Sequence, residues 1–431
     1  MNQQRSTARR HVADPTLVKR QILFHTSKFE YGICLDNNSY KDVFAGESCE
    51  LLAGFGHTEV IEALPGQAFD ILKKHRNQHA DWLFGGLSYD LKAETENLPS
   101  SLPDGVDFPV LCFFRPETVV LLQDGQLVVH CLTADPESVC DEILSVQTVF
   151  SPVATPPPVL KPRMPRDVYL NTVRSIIGHI EEGDLYEMNL CQEFYAENVS
   201  FDPLRVYSKL NEIAQPPMAA FFRCNNKYLL CASPERFLRL QGDKLVSQPI
   251  KGTRRHTGSH DESLKTELAN SIKDRAENVM IVDLVRNDLA RSCQPGSVRV
   301  DELFGVYSFR TVHQMISTVS GLILPYTSPV DAIARAFPPG SMTGAPKVMA
   351  MKLIERYEMN RRGLYSGAVG YFDPAGNFDF NVVIRSLLYN AGTRYLSAQV
   401  GGAIVYDSVP ESEYDECMVK AEALFKALAS S

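Results

Sequence analysis

The chain has 431 residues, 44% of them hydrophobic and 9% aromatic, and a formal net charge of -9. That is enough apolar material for a large core, while the acidic balance argues against a nucleic-acid partner and no apolar run is long enough to span a membrane. Ten cysteines, from Cys34 to Cys417, form no C-x-x-C pair and no metal-ligand spacing with histidine. Reduced thiols in a cytoplasm are expected, rather than disulfides or structural zinc.

The first residues, "MNQQRSTARRHVADP", are polar and basic with no apolar stretch after them, so a frayed arm is expected rather than a secretory signal. Residues 20–150 alternate strand-like runs such as "VLCFFRPETVVLL" and "QLVVHCL" with short helical ones. Residues 1–150 are accordingly read as an N-terminal region belonging to the same fold as the rest of the chain. "SPVATPPPVLKPRMPRD", residues 151–167, places six prolines in seventeen positions and reads as a connector, neither helix nor sheet. The region 168–428 opens with a helix, "VYLNTVRSIIGHIEEG". In "FLRLQGDKLVSQPI" the alternation about Gly242 predicts a hairpin whose continuation carries Lys251 into a glycine turn at Gly252. One long helical stretch is expected from Asp261 to about Arg291. Further helices follow "TGAPK" and occupy "PESEYDECMVKAEALFKAL", with strands such as "YSGAVGYF" and "NVVIRSLLY" between them. Paired strands outnumber crossover helices, which predicts a mixed α+β fold with largely antiparallel sheets.

Several constellations carry chemistry. Asp274 and Glu277 lie three apart in the long helical stretch, and Glu413, Glu416 and Lys420 fall on one face of the last helix. Each face alone reads as a solvated surface; together, two carboxylate-bearing helices can share a hard divalent cation. In "FPPGSMTGAPKVMAMKLIE", Gly340 and Gly344 bracket a loop before a helix, with Pro346 in its first turn. The loop lacks the Gly-Lys-Ser/Thr of a phosphate-binding P-loop, which excludes nucleotide phosphate and leaves two readings, a carboxylate site or a plain glycine turn before a helix. Gly401 and Gly402 end a strand where a ligand can approach the main chain, and Arg385, inside an apolar strand, calls for an anionic partner.

In their order, "PIKGTRR", "KDRAENVMIVDLVRNDLAR", "VHQMIST", "GSMTGAPKVMAMKLIE", "YSGAVGYF" and "SEYDECMVKAEAL" resemble the chorismate-binding family, which includes anthranilate, aminodeoxychorismate, isochorismate and salicylate synthases. The likeness is dense over residues 165–428 and looser before them, through "WLFGGLSYDLKAETENL". It implies a two-sheet β sandwich flanked by helices, as in anthranilate synthase component I, with the active site between the sheets.

The aminodeoxychorismate branch of this family carries a lysine after "PI" where other branches carry alanine, and here that residue is Lys251. The resemblance implies that Lys251 attacks carbon 2 of chorismate and expels the 4-hydroxyl, leaving an adduct that ammonia opens at carbon 4 to give 4-amino-4-deoxychorismate. That requires a neutral amine, and desolvation with Arg254 nearby is expected to lower its pKa. By motif position, Glu277 and Glu416 would bind Mg²⁺, supported by Glu413 and Asp274. Thr253, Ser341, Thr343, Gly344, Tyr365, Arg385, Gly401, Gly402 and Lys420 would hold the substrate. Glu187 stands where water-activating branches carry lysine and aminating ones glutamine, and Ala403 replaces a glycine. Gln314 stands where the anthranilate branch has its histidine, leaving His313, one residue earlier, as the candidate proton donor; one residue on a strand changes face. "QPPMAAFF" does not keep the run associated with tryptophan feedback. No Cys-His-Glu glutaminase signature is recognisable, so ammonia is expected from a separate glutamine amidotransferase. Anthranilate synthase and a catalytically silent chorismate binder are the alternatives.

Overall fold

Two antiparallel sheets organise the chain in the computed structural model, which describes residues 4–40, 49–150, 156–256 and 261–429. The first sheet begins with five strands drawn from residues 6–131, ending in Tyr31–Asp36. It continues through Met218–Cys224, Lys227–Ser233, Ser386–Asn390 and Tyr395–Ile404 to Glu187–Ala196. The second runs from Ile250–Arg255 through Val312–Leu322 and the Gly242 hairpin to Phe378–Val382, Ala368–Phe372 and Leu83–Leu87. In both sheets, then, strands from the first 131 residues pair directly with strands from beyond residue 217. Local turn chemistry fixes the hairpins: Asp124 and Gly125, both at positive φ (49° and 71°), join Thr118–Gln123 to Gln126–Cys131 as a two-residue turn.

One apolar core draws side chains from both sheets, including Phe84, Phe113, Phe222 and Phe380. A second lies under the helices Arg166–Glu181, Pro203–Ala214 and Pro410–Ala429, where Tyr169, Leu210 and Leu424 cover Leu190, Leu230 and Val400 of the first sheet. The arrangement is the α+β, two-sheet sandwich with flanking helices that the sequence leads one to expect.

Two local expectations are corrected. The stretch from Asp261 is two helices, Asp261–Asn270 and Ile272–Ala290, because Ser271 leaves helical geometry (ψ 114°) and its hydroxyl accepts from the Asp274 amide as an N-cap. In the proline-rich connector, Lys161–Pro162 pairs with Phe194–Tyr195, an edge position where proline's missing N–H is tolerated; residues 151–155 lie outside the described residues.

Because the core is shared between the sheets, weakening it should lower the stability of the whole molecule. Phe113 packs against Phe372 (5.9 Å between centroids) and Phe380 (6.1 Å). Phe113→Ala is expected to cost about 3–5 kcal/mol in one cooperative calorimetric transition. A variant that melts in two steps, the N-terminal third first, would contradict a single shared core.

Candidate active site

Lys251 reaches the interior through a register irregularity. Ile250 pairs with Ile316 and Thr253 with Gln314, so the Lys251 strand carries one residue more than its partner between these pairs. The extra residue is taken up at Gly252, whose φ of +87° defines a glycine bulge and re-aims the neighbouring side chain. A β-carbon at Gly252 would also meet Leu268 Cδ1 at 2.9 Å and Asp274 Cβ at 3.0 Å. Lys251 thus lies within the strand Ile250–Arg255, not at a turn beyond it, and its buried ammonium faces a cavity of about 880 Å³ walled by both sheets and two helices.

Three carboxylates surround that ammonium. Lys251 Nζ donates to Glu187 Oε1 at 2.5 Å, and Glu277 and Glu235 act on it through space. Burial lowers the amine's pKa, but the three acids outweigh it, so Lys251 is held above the ordinary lysine range. This reverses the expected depression. Arg254 does not oppose the charge, because its guanidinium is turned to Glu267 (2.8 Å) and Asp274 (2.9 Å).

Burial pushes Glu235 up to about 7, against a hydrogen bond from Ser341 and the charge of Lys251. Nothing in the spacing of the sequence singles out this acid; its only signal is its place inside "SPERFL". Asn189, Gln314 and Gln399 also line the cavity. Beneath it, Arg362 pairs with Glu358 (2.6 Å) and donates to the Asn189 carbonyl, while Glu358 accepts from the Cys191 amide.

The opposite wall carries the other charges. Glu277, on the helix Ile272–Ala290, is raised to about 6 by burial, with Lys251 opposing and Glu187 adding to the shift. Glu413, on the helix Pro410–Ala429, is raised by burial and by Glu416, while Lys420 at 2.6 Å holds Glu416 low. Lys420 also donates to the Gly401 carbonyl at 2.8 Å. Gly401 and Gly402 lie inside the strand Tyr395–Ile404, not at its end; a β-carbon at Gly402 would sit 3.4 Å from Glu413 Oε2 and 3.7 Å from Glu416 Oε1, so the glycine keeps that corner open. Arg385 occupies a corner between two strands at φ 52°, not a strand interior; its carbonyl accepts from the Ala232 amide, while its guanidinium lines the cavity with no hydrogen-bond or ion-pair partner among the described residues. Burial lowers its pKa, with Tyr365 and Glu416 opposing.

The cavity brings together Lys251, Thr253, Asp274, Glu277, Ser341, Tyr365, Arg385, Gly401, Glu413, Glu416 and Lys420, with Glu187 immediately behind Lys251. It does not bring in four other candidates. His313 is fully buried on the opposite face of its strand, its Nδ1 at Ser308 Oγ, while Gln314 faces the cavity. Thr343 is buried and donates to the Gly340 carbonyl. Gly344 abuts the strand carrying Glu187, where a β-carbon would meet the Glu187 carbonyl at 2.1 Å, and Gly402 stands behind the carboxylates. Pro346 precedes its helix by one residue.

Glu277, Glu413 and Glu416 offer hard oxygen donors; burial resists ionisation at Glu277 and Glu413, with Glu416 adding to it at Glu413, and a divalent cation would offset that cost. They are not among the tight groups of three ligand atoms within 4.8 Å that the described residues contain. That suits a magnesium ion held by one or two carboxylates, with water and substrate oxygens completing its shell. The donor set therefore fits the ion; Asp274, engaged by Arg254, stands one step back.

A cavity of this size, lined with charges of both signs and by an arginine whose guanidinium has no partner among the described residues, suits a small anionic ligand. The chain belongs to the chorismate-binding enzyme family, whose model matches residues 29–426. It is 36% identical over 367 residues to aminodeoxychorismate synthase component 1 of Klebsiella aerogenes, covering 83% of this chain and 80% of that one. It is 44% identical over 268 residues to a probable chloroplastic aminodeoxychorismate synthase of Oryza sativa subsp. japonica, over 61% of this chain but only 30% of that protein. The crystal structure of anthranilate synthase component I from Streptococcus pneumoniae superposes with a TM-score of 0.76 at 25% identity, covering 90% of this chain and 94% of that one.

Glu235 gives the site a pH signature. Its folded value of about 7 stands above its unfolded one, so the folded state keeps an extra proton between them and this group's contribution to stability is lost as pH rises through 7. Glu235→Gln, which mimics the protonated acid, should raise Tm at pH 8 and change it little at pH 5. A fall in Tm at both pH 5 and pH 8 would show that Glu235 is ionised in the folded protein.

Proposed function

We propose that the protein aminates carbon 4 of chorismate to give 4-amino-4-deoxychorismate, taking ammonia from a separate glutamine amidotransferase. The observation that carries this reading is Lys251, delivered by the bulge to the cavity floor between a proton acceptor and a proton donor. The names of the similar proteins from Klebsiella and rice support it.

Glu187, in contact with the ammonium, takes the proton that frees the lone pair of Lys251. The amine then forms a bond to carbon 2, the ring double bond shifts, and the carbon 4 to oxygen bond breaks. Glu235, protonated near neutrality, gives its proton to the departing hydroxyl, which leaves as water. Ammonia next bonds to carbon 4, the double bond shifts back, and the Lys251 amine is expelled. Two displacements put nitrogen para to the ring carboxylate. The raised lysine pKa belongs to the resting site; a divalent cation held at Glu277 would weaken the field that keeps the proton on the amine. Arg385 and Lys420 pair with substrate carboxylates, and Tyr365 and Ser341 flank them. Glu277 and Glu416, with Glu413 and Asp274 in support, would hold a magnesium ion, which when bound would supply charge neutralisation for the ring carboxylate and the leaving oxygen.

Two experiments test the assignment. Glu416→Gln should weaken Mg²⁺-dependent chorismate binding, measured by calorimetric titration, by about tenfold or more with Tm nearly unchanged; an unaltered Mg²⁺ dependence would remove Glu416 from the site. With ammonium salts at alkaline pH, the wild type should make 4-amino-4-deoxychorismate without glutamine use of its own. Lys251→Ala should lose about two orders of magnitude of that rate or more and shift toward the ortho-aminated product. Para amination at near wild-type rate in Lys251→Ala, with no Lys251 adduct in the wild-type mass spectrum, would refute the nucleophile. Ortho product from the wild type would point to anthranilate synthesis instead.

A further inference from the structure

We propose that His256, Asp261 and His313 form a binding site for a transition-metal dication of the zinc class, distinct from the magnesium carboxylates. His256 directly follows the Lys251 strand, and its Nδ1 lies 3.0 Å from the Phe309 carbonyl and 3.1 Å from that of Arg310. Carbonyl oxygens only accept, so Nδ1 carries the hydrogen, and in the neutral ring Nε2 presents a lone pair. That lone pair is aimed at Asp261 Oδ2, itself an acceptor, 2.5 Å away. Two acceptors at this distance need a positive centre between or beside them.

His313 supplies the second observation. Its ring is fully buried, its Nδ1 is 2.9 Å from Ser308 Oγ, and its Nε2 has no hydrogen-bond partner. That orphaned atom points to the other oxygen of the same carboxylate, Asp261 Oδ1, at 3.4 Å. The two rings lie 4.9 Å apart, and the three ligand atoms are all within 4.8 Å of one another.

Both histidines thus have Nδ1 anchored by an oxygen and Nε2 directed inward, the outer-shell arrangement that fixes metal-binding imidazoles. With metal–ligand bonds of about 2.0–2.2 Å, neighbouring ligands of a tetrahedral ion stand roughly 3.3 Å apart. The contacts of 2.5 and 3.4 Å bracket that spacing. Two histidines and one carboxylate leave the fourth position to water. The ion would tie the first turn of Asp261–Asn270 to the end of the Lys251 strand, against which that helix packs through Leu268 near Gly252. Its ligands come from three separate elements, which is why cysteine and histidine spacing gives no hint of it.

The purified full chain, stripped with chelator and held in excess Mg²⁺ to occupy the carboxylates, should be titrated with Co²⁺ in the visible and with Zn²⁺ by calorimetry. One equivalent should bind, with d–d bands and no thiolate charge-transfer band. His256→Ala, at an exposed position, should weaken binding by about tenfold or more with an unchanged circular dichroism spectrum. Glu416→Gln should leave it unaltered. Absence of stoichiometric Co²⁺ in the wild type would show that a proton is the positive centre and overturn the proposal, as would equal affinity in His256→Ala.

Discussion

A lysine ammonium enclosed among Glu187, Glu235 and Glu277 is the charge arrangement on which the rest of the site rests. Taking one cation and three acids out of water is expensive unless each is compensated, and the compensation here is unequal. Glu187 is in direct contact with the amine, while burial drives the other two acids toward their neutral forms. Burial thus lets Glu235 keep a proton near neutrality beside a carboxylate that touches the amine. One can accept a proton and another can hold one at the same pH, the condition for paired acid and base chemistry.

The remaining walls follow from that concentration of charge. A site so rich in carboxylates repels a dianionic substrate unless cations stand close by. Arg385 and Lys420 are the cations on the cavity wall facing those acids, the first with no partner for its guanidinium among the described residues and the second shared between Glu416 and a backbone carbonyl. The buried Glu358–Arg362 pair holds the floor from below by engaging the Asn189 carbonyl and the Cys191 amide, so the strand bearing Glu187 cannot shift freely relative to Lys251.

Local patterns made much of this legible. Alternation about Gly242, the antiparallel character of the sheets and the carboxylates on two helix faces all depend on neighbours within a few residues. What could not be read depends on partners far away. The sign of the Lys251 pKa shift is set by Glu187, sixty-four positions earlier, and by a bulge visible only as a register difference between two strands. Glu235 looks like any strand-edge acid until the second sheet covers it. His313 and Gln314 are both polar, and only the strand's orientation decides which one faces the cavity. Ser271 breaks a helix whose flanking residues all favour continuation, because its side chain caps the next one.

The interleaving of early and late strands also bears on how the chain is made. Leu83–Leu87 pairs on one side with the early strand Leu111–Arg115 but on the other with Ala368–Phe372, so 285 residues (372 − 87) separate the ends of that second pairing. At bacterial-to-eukaryotic synthesis rates of about 5–20 residues per second, the later strand emerges roughly 15–60 s after the earlier one. For that interval the nascent N-terminal third has apolar edges with no native partner, and its burial by the rest of the molecule must wait for nearly the whole polypeptide to leave the ribosome. A chain built this way leaves that edge open longer than one assembled from consecutive hairpins, and truncation before Ala368 removes the second partner of Leu83–Leu87.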